Sequence, residues 1–154
     1  RQGSTDADSV HIAGHGLVDS ASPRDSALAF PSRAGGTAEE NGLLQAWEIF
    51  EQVRLRARLV VLSACDTAGS RESGGEGLLG LTRAFQFAGA PSVVASLWRV
   101  PDEATPPLML EFHRHVRRGV PLDEALARAQ RAIGGRPATA HPYYWAAFVL
   151  SGRN

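Results

Sequence analysis

Cysteine is almost absent from the chain, which contains a single one, Cys65, among its 154 residues. One cysteine excludes an internal disulfide and any metal site built from several thiolates, and it is typical of a reducing compartment. Long apolar runs are absent as well, since stretches such as Leu59–Leu62 and Ala146–Leu150 are far shorter than the roughly 20 residues of a membrane span. Because the first residues, RQGSTDADS, also lack the apolar core of a signal peptide, we expect a cytoplasmic protein with no membrane partner.

A surplus of charge of either sign is also missing, because 16 basic residues balance 16 acidic ones. Nucleic acids and anionic membranes usually select a basic excess, so neither is expected to bind the chain directly. Residues 69–77 lack the Gly-Lys-Ser/Thr ending of a phosphate-binding loop, and no Gly-x-Ser-x-Gly nucleophile motif occurs. The sequence therefore contains no motif that favours nucleotide binding or serine hydrolysis, and we expect no cofactor.

What the chain does contain is an alternation of strand-like and helix-like segments, at a length that fits one domain. The pattern predicts an α/β fold with a parallel or mostly parallel sheet and helices on both faces. The predicted strands are Val10–Ala13, a short edge strand Ala27–Phe30, Leu59–Leu62, Ser92–Trp98 and Tyr143–Leu150. The predicted helices are Gly42–Val53, Glu76–Ala88, Asp102–Arg118 and Leu122–Ile133, the last two separated by Gly119.

Histidine is the first candidate for chemistry. His11 and His15 are four positions apart, but zinc motifs with that spacing need a helix with a glutamate between the two ligands. Here the segment is a predicted strand that breaks at a glycine-flanked turn presenting His15, so we expect no metal site. The other histidines lack any partner spacing and are expected at the surface or as caps: His113, His115 and His141.

Cys65 lies just beyond the C-terminal end of the predicted buried strand Leu59–Leu62, and two interpretations of it stay open from the pattern alone. Cysteine is one of the most commonly buried residue types, which favours a structural role. A thiolate paired with a histidine is a nucleophile, which favours catalysis. If the strands before His15 and Cys65 are neighbours in a parallel sheet, both residues lie at the same rim, where sites of such sheets collect.

Four segments of the chain resemble the CHAT branch of the caspase-like cysteine peptidases, a branch often attached to tetratricopeptide repeats. They are "VHIAGHG", "LVVLSACDTAG", "GEGLLGLTRAFQFAGAPSVVASLWRVPDEAT" and "HPYYWAAFVLSG", and they cover most of residues 10–152 in the family's order. His15 precedes Cys65 by about 50 positions, the spacing typical of caspases. The resemblance implies a three-layer α/β/α caspase-like fold with a mostly parallel sheet.

The resemblance also implies a cysteine endopeptidase in which His15 is the general base and Cys65 the nucleophile. The backbone amides of Gly16 and Cys65 would form the oxyanion hole, since a glycine lets an amide approach the substrate closely. Similar family members work as a dyad, so Asp66 is expected to order the loop rather than to serve as a third member. A catalytically silent domain that acts as a protein-interaction module is the alternative, although such a module needs neither His15 nor Cys65.

"SLWRVPD" resembles the Leu-Trp-x-Val-x-Asp stretch of separase, whose acidic residue receives a basic side chain at the cleavage site. Carried over, that residue is Asp102, a buried carboxylate that would select arginine or lysine, with Ser96 and Trp98 lining the same pocket. Asp102 has a second interpretation as the cap of a helix that starts near Glu103. Packing against the strand explains Trp98 nearly as well.

The chain departs from the family at its start, because CHAT domains usually have further strands and helices before the histidine strand. We therefore expect residues 1–9 to be a disordered or linker start and residues 10–154 to be the C-terminal part of the domain, with N-terminal elements missing. The histidine strand would then lie at an open edge. A larger bacterial protein, or a sensor or tetratricopeptide-repeat partner, would supply the missing strands.

Two polar, glycine-containing loops, residues 19–37 and 69–75, are candidates for self-cleavage. They carry the basic residues Arg24, Arg33 and Arg71. Cleavage at one of them would be a form of activation.

Overall fold

The computed structural model describes residues 8–19, 21–31, 41–66 and 76–153 and contains a six-stranded sheet in the order β3-β2-β1-β4-β5-β6. The three central strands, β1, β4 and β5, are parallel to one another. β2 is antiparallel to β1 and to β3, and β6 is antiparallel to β5, so four of the six strands run in one direction. The bounds are β1 Ser9–Leu17, β2 Ala27–Ala29, β3 Leu43–Gln45, β4 Leu59–Asp66, β5 Ser92–Ser96 and β6 Phe148–Gly152.

Helices cover the sheet on both faces. They are α1 Ala46–Gln52, α2 Glu76–Phe87, α3 Thr105–Arg117 and α4 Leu122–Gly134, and short 3-10 turns lie at Pro23–Asp25, Pro137–Thr139 and Pro142–Tyr144. Alternate residues of β4 belong to different cores: Val60 and Leu62 pack with α1 and α2, whereas Val61 packs with α3 and α4. The expected three-layer α/β/α architecture is therefore confirmed. Within the described ranges no helix is long and apolar enough to cross a membrane.

The two strands that carry the candidate residues are longer than the sequence pattern predicts. β1 continues through the glycines to Leu17, because β4 pairs along one side of it and β2 along the other. β4 likewise continues to Asp66, so Cys65 lies within the strand and not beyond it. The predicted turn at Gly14–Gly16 is wrong, since pairing on both sides outweighs the weak strand preference of glycine.

The sheet also extends beyond β1 on the side where an open edge was expected. β2 matches the predicted strand Ala27–Phe30, but it is not an edge strand because β3 pairs with its outer side. β3 takes up the first residues of the predicted helix Gly42–Val53, so α1 begins only at Ala46. Apolar spacing alone does not distinguish these two conformations over three residues.

Towards the C-terminus, the predicted positions of α2 and α4 are confirmed, and Gly119, with a positive φ of 76°, separates α3 from α4. α3 begins at Thr105 rather than near Asp102. The last strand begins at Phe148, because the preceding residues form a 3-10 turn. Three predictions fall wholly or partly on undescribed parts of the chain, namely the linker start 1–9, of which only residues 8 and 9 are described, the loop 69–75 with Arg71, and the part of the loop 19–37 that contains Arg33.

Candidate active site

The register between β1 and β4 places the two candidate catalytic residues side by side. In this parallel pair His15 lies directly opposite Cys65, and Gly16 lies opposite Asp66. Both residues lie at the C-terminal ends of their strands, which is the rim where ligands of parallel sheets bind. Neighbouring strands are about 4.8 Å apart, so the backbones at these two positions are adjacent.

His15 lies on an open part of the sheet. Val10 and Ile12 pack towards the core beneath α1 and α2. The residues that alternate with them, Ala13 and His15, are exposed, as is Gly14 between them. This exposure leaves His15 accessible from solvent.

A pair of histidines, His11 and His113, lies close to this site. His11 is on the same face of β1 as His15, four residues earlier in the strand. His11 Nε2 is 2.8 Å from Ser63 Oγ, and Ser63 Oγ is 3.4 Å from the carbonyl oxygen of Ile12. His11 Nδ1 is in turn 3.1 Å from His113 Nε2 on α3. One arrangement of protons satisfies all three hydrogen bonds of this series. His113 donates to His11, His11 donates to the Ser63 hydroxyl, and that hydroxyl donates to the carbonyl oxygen of Ile12.

The environment favours the neutral form of both rings. Partial burial, and then the neighbouring His113, lowers the pKa of His11 below its ordinary value of 6.5. Partial burial also lowers the pKa of His113. Because a charge on His11 would place a proton on Nδ1, facing the Nε2–H of His113, the neutral pair is the one that holds β1, β4 and α3 together.

Sequence reasoning missed this cluster. His113 was expected at the surface or as a cap, and it is 102 positions away from His11. No local spacing signals such a contact, which arises only once α3 packs over the sheet beside β1. The capping role is found instead at His141, whose side chain accepts a hydrogen bond from the backbone N–H of Tyr143.

The residues carried over from separase lie at the C-terminal end of β5 and in the segment that follows it. Ser96 is the last residue of that strand, it is buried, and its hydroxyl donates to the carbonyl oxygen of Trp98 at 2.5 Å. Trp98 packs against the α3 and α4 core, and its Nε1–H donates to the carbonyl oxygen of Tyr143 at 3.0 Å. The packing interpretation of Trp98 therefore has direct support.

Asp102 is exposed in the turn before α3, so its carboxylate is not buried as expected. It does not cap the helix either, because the residue at the N-cap is Ala104 and no side chain bonds there. The interpretation as a helix cap is wrong, because α3 begins two residues later than that interpretation requires. Asp102 is left as an accessible negative charge near the C-terminal end of β5.

Within the described ranges, no group of three or more His, Cys, Asp or Glu residues is placed so that it could hold a metal ion. His11 and His15 both lie on strand β1, and neighbouring residues of one strand are about 3.3 Å apart along its axis. Four positions along a strand therefore separate the two rings too far to share an ion.

Comparison with known proteins identifies relatives of this chain. The model of a family described as "CHAT domain" matches residues 1–153. Tetratricopeptide repeat protein 28 of Mus musculus is 36% identical over 110 residues, which is 71% of this chain and 4% of that protein. Its counterpart in Homo sapiens is 34% identical over 110 residues, again 71% of this chain and 4% of the relative. The chain thus spans only a small part of the length of these relatives.

Proposed function

The chain belongs to the CHAT domain family, whose fold is caspase-like, and on this basis we propose that it is a cysteine endopeptidase with a Cys65–His15 dyad. The observation that carries the proposal is the register, in which position 15 of β1 lies opposite position 65 of β4. Both strands are paired on their two sides within the sheet, which suits a site that must hold two groups in fixed geometry.

The dyad accounts for peptide-bond hydrolysis as follows. His15 takes the proton of the Cys65 thiol, and the thiolate attacks the carbonyl carbon of the scissile bond. The C–N bond then breaks, the amine leaves with the proton from His15, and a thioester to Cys65 is left. Water, deprotonated by His15, hydrolyses this thioester and restores the free thiol.

The backbone amides of Gly16 and Cys65 are the proposed donors to the oxyanion of the tetrahedral intermediate. Both residues are paired in the sheet, with Gly16 opposite Asp66 and Leu28. For these contacts, both N–H groups would have to face the substrate carbonyl when it arrives. The neutral cross-link between His11 and Ser63 lies further back and would keep the rest of the two strands aligned.

We assign the preference of the site for a basic residue before the cleaved bond to Asp102. Its carboxylate is exposed in the free protein, so a substrate arginine or lysine would cover it on binding and form a charge-assisted hydrogen bond. Ser96 and Trp98 would form the wall next to it. Their hydrogen bonds to backbone carbonyls hold this segment in place.

The peptidase domain, residues 10–154, is proposed to work within a larger, regulated cytoplasmic protein of bacterial origin. A sensor or tetratricopeptide-repeat region is the proposed partner. The printed names of the two relatives support this partner, since both are tetratricopeptide repeat proteins and match over only 4% of their length. These relatives are mammalian, so the bacterial origin rests on the family resemblance alone.

A peptide library tests the endopeptidase proposal. We expect the parent to cleave after arginine or lysine, and Cys65→Ala to cleave nothing. Asp102→Asn should lose the basic preference, whereas Glu103→Gln, at the other exposed acidic residue of the same turn, should keep it. If the folded parent cleaves nothing and its thiol reacts no faster than a free cysteine, the interaction-module alternative is favoured. An apolar preference in the parent would contradict the assignment of Asp102.

Self-cleavage is tested separately by the intact mass of the purified protein. The proposal is that the parent is cut after Arg24, Arg33 or Arg71, whereas Cys65→Ala stays whole. Equal masses for the two proteins, after allowance for the substitution, would contradict it.

A further inference from the structure

One face of α3 forms a basic hollow that the peptidase proposal does not use. A cavity of about 460 Å³ is lined, among the described residues, by Leu110, His113, Arg114, Arg117 and Arg118. Leu110, Arg114 and Arg117 lie three and four positions apart, so they form one stripe along the helix. Arg118 extends this stripe at the end of α3.

The charge of this hollow is only partly compensated. Arg114 pairs with Glu111 at 2.5 Å on the same helix. Arg117 and Arg118 are exposed, and neither has an ion pair with any acidic group in the described ranges. Basic residues in the last turn also stabilise the helix dipole, but that role requires no cavity.

An exposed leucine lies at the other end of the hollow, beside its arginines. The side chain of Leu110 is 59% exposed, although apolar residues of α3 such as Phe112 are fully buried. Leu110 and Arg117 are two helical turns apart, about 10.5 Å along the axis. Residues three apart in an extended peptide are separated by a similar distance, about 10 Å.

We propose that this hollow, formed by Leu110, His113, Arg114, Arg117 and Arg118, binds an acidic, leucine-containing segment of a partner protein. Carboxylates of the segment would bind the two unpaired guanidinium groups, which favour bidentate contacts with carboxylates. An apolar side chain three residues away would cover Leu110. A free phosphate or polyphosphate would pair with the arginines, but it has no apolar group to contact Leu110. A peptide that carries both carboxylates and an apolar side chain therefore fits the stripe better.

Fluorescence anisotropy with a labelled ten-residue probe of glutamates around a central leucine tests the proposal. We expect the double variant Arg117→Glu and Arg118→Glu to bind at least tenfold more weakly than the parent. The matched control is Arg131→Glu with Arg136→Glu, which makes the same charge change at the opposite end of the α3–α4 pair. Leu110→Ser should weaken binding severalfold, and a probe with lysines in place of the glutamates should not bind.

Several results would overturn the proposal. An equal loss in the two double variants would show attraction to overall charge and not to this hollow. Unchanged binding in Leu110→Ser, together with full displacement of the probe by tripolyphosphate at a similar concentration, would indicate an inorganic anion site instead. Because the same titration is made with Cys65→Ala, which should bind the probe like the parent, failure of the peptidase proposal does not affect the outcome.

Discussion

Gly80 on α2 provides a sharp test of how the helices pack around the sheet. A Cβ atom there would lie 2.4 Å from the carbonyl oxygen of Pro23, about 1 Å closer than the 3.4 Å at which ordinary contact begins. Replacing a helical glycine by alanine normally stabilises a protein by about 1 kcal/mol. Overpacking against a backbone atom costs roughly 1–3 kcal/mol, and the turn at Pro23 is held by the bond from Asp25 N–H to the Ser22 carbonyl.

For Gly80→Ala we therefore expect the free energy of unfolding to fall by up to about 2 kcal/mol, because the clash offsets or outweighs the gain in helix propensity. Urea denaturation followed by circular dichroism measures it. Gly135→Ala, at the C-cap of α4, is the control, since its Cβ would lie 3.3 Å from the Arg131 carbonyl oxygen, only slightly inside ordinary contact, and it should change stability by less than about 0.5 kcal/mol. A Gly80→Ala protein about 1 kcal/mol more stable than the parent would refute this packing of α2.

Three further predictions concern the site and its support. Because the pKa values of His11 and His113 are lowered in the folded state, the unfolded chain binds protons first as the pH falls below 6.5. Stability measured by urea denaturation should therefore decrease below pH 6.5, less so in His113→Gln, and an equal decrease in both proteins would contradict the neutral pair. Phe112→Ala, at a fully buried position, should lose about 3–5 kcal/mol in the same assay, and a loss under about 1 kcal/mol would be incompatible with the core described. Trp98→Phe should lose about 1 kcal/mol with its hydrogen bond to Tyr143, whereas unchanged stability would show that this bond is not important.

Much of the fold follows from apolar patterning. The run Leu59–Leu62 predicts a strand covered on both faces, and its residues do alternate between the two cores. The helices α2 and α4 follow from their apolar spacing and from glycines that end or separate them. Long-range pairing is what the pattern does not contain: β3 forms because β2 offers it an edge, and β1 passes through its glycines because it is paired on both sides.

The candidate site was predictable to a similar degree. The motif around His15 and the strand before Cys65 indicate a common rim, and the register places the two positions opposite each other. The pair of His11 and His113 was not predictable, because it depends on where α3 crosses the sheet. Asp102 was predicted incorrectly as a buried carboxylate. The motif around it suggests a binding pocket, but the residue is exposed in the turn that precedes α3.

The pH dependence of thiol labelling tests the dyad most directly. Cys65 is the only cysteine in the chain, so alkylation by iodoacetamide, followed by intact mass, reports on this residue alone. If His15 stabilises the thiolate, the labelling rate of the parent should rise with an inflection well below the usual thiol pKa of about 8.5. In His15→Ala, shown to be folded by circular dichroism, the inflection should return to about 8.5. Identical profiles for the parent and His15→Ala would contradict the Cys65–His15 dyad.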